Sequence, residues 1–123
     1  MLKEFYSQTN KKRIKKMIAF NNEREKIDLG GGVTRKILAY DGKMMCVEVG
    51  FEKGSVGALH SHPHEQISYV AEGQFEYEIE GEKFILNKGD TYHTLPNQIH
   101  GVKALEAGVL IDIFTPIRED FLK

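Results

Sequence analysis

From residue 33 onward the chain is a succession of short segments in which apolar and polar residues alternate, each closed by Gly, Asn, Asp or Pro. The sharpest is residues 74–80, where Phe75, Tyr77 and Ile79 fall on one side and Glu76, Glu78 and Glu80 on the other. A period of two predicts a strand with one packed and one solvated face. Val47, Val49 and Phe51 alternate with Glu48, Gly50 and Glu52 in the same way. Candidate strands cover residues 33–40, 44–51, 66–71, 74–80, 83–86, 91–95, 99–104 and 108–114. Turn signals at Asp41-Gly42, Glu72-Gly73, Glu80-Gly81 and Asn87-Lys88-Gly89-Asp90 separate several of them. About eight or nine short antiparallel strands in one domain predict an all-β jelly-roll barrel, whose closed interior has room for a small ligand.

Ahead of Gly30-Gly31-Gly32 the pattern changes. Residues 11–20 place Ile14, Met17 and Ile18 at helical spacing among five basic residues, which predicts one short amphipathic helix. The domain reading is an N-terminal extension over residues 1–32 followed by a barrel over residues 33–123. A basic run without interleaved aromatics reads as a solvated face.

Composition adds exclusions. At 123 residues the chain makes one domain with one core. A formal net charge of −1 supplies no global field for nucleic acid or an anionic membrane. Cys46 is the only cysteine, so no disulfide forms within the chain, and beside Met44, Met45 and Val47 it reads as a buried structural thiol. No segment has the ~18 consecutive apolar residues of a membrane span or the apolar core of a secretory signal. The expectation is a cytoplasmic protein.

Three of the five histidines lie within residues 60–64. His60 and His62, two apart, would project from one face of a strand; Pro63 bends the chain so that Gln66 re-enters from the next strand. His100, far along the chain after a turn at Pro96-Asn97, would reach the same point in a closed barrel. These four would hold a divalent cation with neutral groups only, three imidazoles and one amide oxygen, leaving its charge for an anionic ligand. His93 is a competing fourth ligand, and His64, beside Pro63, is assigned to substrate or solvent.

The spacing Gly54, five residues, His60, one, His62, three, Gln66, six, Gly73 resembles the first motif of the cupin superfamily, with Gln in place of Glu. Gly89-Asp90, Leu95-Pro96 and His100-Gly101 resemble its second motif. That second motif is one residue tighter between Pro96 and His100, lacks the usual internal Gly, and has Ala104 where the pattern often ends in Asn. A neutral amide in place of a carboxylate favours Lewis-acid over oxygen-activating redox chemistry, with Zn, Ni, Mn or Fe(II) as candidate metals.

Residues 108–114, Gly-Val-Leu-Ile-Asp-Ile-Phe, form an apolar strand with one carboxylate. Leu110, Asp112 and Phe114 share one face, and Asp112 is predicted to be buried. Two readings stand for it: a proton carrier in a functional cleft, or a structural ion pair with Arg118 or Arg35. With this segment the resemblance sharpens to the KdgF-type cupins of pectin and alginate breakdown, over residues 33–121. It implies His60, His62, Gln66 and His100 as metal ligands, with Asp112, Phe114 and Arg118 around an anionic sugar substrate. It further implies conversion of cyclic 4,5-unsaturated monouronates into linear keto forms. The alternatives are another cupin enzyme such as a dioxygenase, or a non-enzymatic sugar-acid-binding module. The expected partner is a second copy of the chain, a homodimer, with no nucleic acid and no membrane.

Overall fold

The computed structural model describes Ile14 and residues 17–123. Ten strands run β1 (Ile27–Gly30), β2 (Val33–Asp41), β3 (Met44–Phe51), β4 (Val56–His60), β5 (Glu65–Glu72), β6 (Gln74–Ile79), β7 (Glu82–Asn87), β8 (Thr91–Thr94), β9 (His100–Ala104) and β10 (Gly108–Thr115). They form two antiparallel sheets, one ordered β1-β2-β3-β10-β5-β8 and the other β4-β9-β6-β7, the two walls of a jelly-roll barrel. The helix expected over residues 11–20 falls largely outside the described residues. Among those described, no helix is long and apolar enough to cross a membrane.

Each predicted strand is present, within a residue or two at its ends. Two strands had no counterpart in the pattern. β1 lies in the segment read as an extension and adds the edge of the larger sheet by pairing with β2. β4 is short, with four of its five residues exposed, so it carries no alternation to betray it. The β2–β3 hairpin closes through Gly42-Lys43, because Asp41 already pairs with Met44, one residue later than its Asp-Gly signal suggested. Glu80-Gly81 behaves as predicted: both have positive φ, 47° and 83°, as a two-residue turn between paired strands requires.

The alternation decides which side chains fill the barrel. On β10, Gly108, Leu110, Asp112 and Phe114 are buried while Val109, Ile111 and Ile113 face outward. On β5 the inward positions are Gln66, Ser68 and Val70. One end of the interior is apolar, built from Phe51, Val70, Phe75, Ala104 and Leu110, with the Phe51 and Phe75 rings packed edge to face at 5.1 Å. Burial of a ring such as that of Phe75, which has no exposed surface, contributes about 1.5–3 kcal/mol. Met45, Val47 and Phe114 form a second cluster. Cys46 departs from expectation. Met45 and Val47 point inward, so Cys46, between them on β3, faces outward and is only half-buried.

Candidate metal centre and its cavity

Register brings the distant ligands together. His60, the last residue of β4, pairs directly with His100, the first of β9. His62 lies beyond the end of β4, so it does not share a strand face with His60; the bend after the strand turns its ring inward, where it is buried. The β8–β9 turn is held against this bend by a hydrogen bond from the Asn97 N–H to the His62 carbonyl, 2.8 Å. Asn97 has φ +67°, a left-handed conformation that Asn tolerates better than most residues.

The candidate donor nitrogens of His60, His62 and His100 lie within 4.8 Å of one another. Each ring gives its Nδ1–H to a backbone carbonyl: His60 to Ala58 at 2.8 Å, His62 to His64 at 2.9 Å and His100 to Gln98 at 2.8 Å. In the neutral tautomer this leaves three Nε2 lone pairs facing inward. His100 Nε2 is buried without a hydrogen-bond partner. His62 Nε2 faces Gln66 Oε1 at 3.1 Å, a contact between two acceptors when His62 is neutral. An orphaned buried nitrogen and two opposed lone pairs are what a cation would resolve, so the donor set fits a divalent metal. Burial is the main cause that lowers the pKa of His62 and takes that of His100 down to about 4. Both imidazoles are therefore neutral and competent as ligands at neutral pH.

The sequence-predicted residues are thus brought together, with Gln66 opposite His62. His93 is not among them. It pairs in register with the outward-facing Ile67, and its Nε2 meets Glu65 Oε2 at 2.5 Å on the outer surface. His64 stays beside the site, its ring 5.6 Å from His62 and 6.4 Å from Phe114.

A cavity of about 250 Å³ adjoins the imidazoles, lined in part by Tyr92, Asp112, Phe114 and Arg118. Asp112 is buried, and burial, outweighing the opposing pull of Ser68, Gln66 and Arg118, pushes its pKa up to about 6. Its hydrogen bond comes from Ser68 Oγ at 2.5 Å, and Ser68 in turn accepts from Gln66 Nε2 at 2.8 Å. The ion-pair reading of Asp112 is not what the side chains do. Arg118 gives Nε and Nη2 to Asp120 at 3.1 and 2.9 Å, while its guanidinium packs over Phe114 and Phe121, 4.9 and 4.1 Å from the ring centroids. Arg35 lies over Phe121 at 3.8 Å. Phe114 also meets the His62 ring at 5.7 Å, forming the apolar wall between metal site and arginine.

Ser68, Tyr92 and Asp120 escaped the sequence reading. Ser68 had a signal: two residues after Gln66 on one strand, it had to share the inward face with it. Asp120 had none, since its pairing follows from the turn of the chain after β10.

The cupin domain family model matches residues 47–114, more than half of the chain. The pectin degradation protein KdgF of Dickeya dadantii is 53% identical over 97 residues, 77% of this chain and 88% of that protein. Among solved structures, KdgF from a Halomonas species superposes with a TM-score of 0.81 at 42% identity, over 85% of this chain and 96% of that one. An RmlC-like cupin from Shewanella frigidimarina gives 0.82 at 39% identity, over 85% and 94%. Fold, motif and overall identity agree, and the chain belongs to the cupin family and, within it, to the KdgF proteins.

Proposed function

We propose that the protein is a metal-dependent enzyme that opens cyclic 4,5-unsaturated monouronates and converts them into linear keto-uronates, the products of polyuronate lyases being its substrates. The observation that carries the reading is the joining of an all-neutral donor set to a buried carboxyl group, through Gln66 and Ser68, at the wall of one small cavity. The resemblance to the KdgF of Dickeya dadantii, named as a pectin degradation protein, supports the substrate class.

The reaction is a proton relocation without net oxidation. The anomeric hydroxyl loses its proton, the bond from C1 to the ring oxygen breaks, and the electron pair passes through the enol oxygen to C4, which takes up a proton. A divalent cation held by His60, His62, Gln66 and His100 would supply Lewis-acid polarisation of substrate oxygens. Asp112, held near the protonation midpoint by burial, is suited to accept one proton and deliver another. Arg118 lies at the cavity with part of its guanidinium edge committed to Asp120; its remaining N–H groups bind the uronate carboxylate. Phe114 walls the sugar from water.

The test is to add lyase-generated unsaturated monouronate to the purified protein and follow loss of the enol-ether ultraviolet absorbance, with NMR identification of the linear product. Chelator should stop turnover and a redox-inert metal should restore it. Oxygen consumption would move the assignment to a dioxygenase, and binding without turnover would move it to a sugar-acid-binding module. We also propose homodimerisation through the outer face of the larger sheet. There Ile67 and Tyr69 are about half exposed beside the outward-facing Ile111 and Ile113, an apolar row that solvent does not favour. Sedimentation of Tyr69→Asp should then report a monomer.

A further inference from the structure

The registers of β10 with β3 and β5, and of β5 with β8, place Val47, Asp112, Ser68 and Tyr92 in one inward-facing row. Ser68, with no exposed surface, is the link between Asp112 and the ligand Gln66. A hydroxyl has one proton and two lone pairs. The proton goes to Asp112 Oδ1 at 2.5 Å, and a lone pair receives Gln66 Nε2–H at 2.8 Å. While Asp112 is ionised, the single proton is committed to the carboxylate, and Gln66 can act toward Ser68 only as a donor. Its amide must therefore turn its oxygen toward His62 Nε2, 3.1 Å away.

This orientation is not intrinsic to glutamine, whose two amide ends have nearly the same shape. With the amide flipped, an NH2 group would face the imidazoles and no cation could be shared. The same hydroxyl anchors one oxygen of the Asp112 carboxyl and so restricts rotation of that side chain. We propose that Ser68 is a positioning residue whose one hydroxyl sets both the ligand face of Gln66 and the orientation of the Asp112 carboxyl. The inference deepens the functional reading above and rests on it for its kinetic consequence.

Cobalt(II) is the probe. Ser68→Ala and Ser68→Cys, the latter nearly filling the space with a much weaker hydrogen-bonding group, are titrated with Co(II) and followed by visible ligand-field absorption. In each folded variant the Co(II) dissociation constant should rise by roughly 10- to 100-fold, the usual cost of removing a group that orients a metal ligand. At saturating metal, kcat for the unsaturated monouronate should fall by a comparable factor while KM stays near the wild-type value, because Arg118 and Phe114 are untouched. A folded variant with wild-type Co(II) affinity and wild-type kcat overturns the proposal. An independent measurement needs no variant: in isotopically labelled, metal-free wild-type protein the Gln66 side-chain amide protons should exchange slowly with solvent, and rapid exchange would overturn the assignment. If the wild-type protein turns over no unsaturated uronate, the functional reading fails. The Co(II) titrations and the exchange measurement still decide whether Ser68 orients Gln66.

Discussion

Replacing Asp112 by Asn in the metal-free protein should change how stability depends on pH. The carboxyl has an ordinary value of 3.8, and burial in the barrel pushes it up to about 6. Between those values the folded protein keeps a proton that the unfolded chain has lost. Stability from this group is therefore greatest at low pH, falls as pH rises through the window from about 4 to about 6, and stays low above it. At 1.36 kcal/mol per pH unit the whole effect is on the order of 3 kcal/mol, of which roughly half is lost between pH 5 and pH 8. His62 and His100 titrate with the opposite sign, because their values are lowered. The informative quantity is accordingly a difference of differences. Urea unfolding in the presence of chelator, for wild type and Asp112→Asn at pH 5 and pH 8, supplies it. The wild-type change from pH 5 to pH 8 should be less favourable than that of the variant by about 1–2 kcal/mol. Identical pH dependence in the two proteins would refute the reasoning. It would mean that the folded carboxyl ionises as an exposed one does and holds no proton for delivery near neutrality.

Three further outcomes are expected. A metal at about 100 times its Kd should stabilise the wild type by ~2.7 kcal/mol in calorimetry, and His100→Ala, which removes the orphaned Nε2, should abolish that shift. Arg118→Lys keeps the charge but loses the planar fork that meets Asp120, so kcat/KM should fall roughly tenfold, mainly through KM. Gly108→Ala would place a Cβ 2.9 Å from the Phe75 ring and closer still to the Glu72 carbonyl oxygen, and should lower stability by about 1–3 kcal/mol in urea unfolding through overpacking.

How far the sequence carries can be seen strand by strand. Residues 74–80 announce their two faces outright, and Phe75 and Tyr77 are buried as that pattern requires. Residues 108–114 place Leu110, Asp112 and Phe114 on one face, and all three are buried. The short β4 stayed hidden because its exposed residues carry no period. His93 was ambiguous for a related reason: on a four-residue strand a shift of one position moves a side chain to the other face, and only pairing with Ile67 decides it.

By itself the sequence determined the all-β class, the inward positions of the longer strands, and the four residues offered as ligands, since periodicity, turn chemistry and motif spacing are local properties of the chain. The tertiary structure decided which of those residues meet and what holds them there. His62 joins His60 after the strand has ended, Arg118 turns to Asp120, and Ser68 reaches Asp112 across 44 positions of sequence. The Ser68–Asp112 contact depends on strand register and barrel closure, which arise from pairing between distant segments and leave no trace in the spacing of either one, whereas the Arg118–Asp120 pairing follows from the turn of the chain after β10.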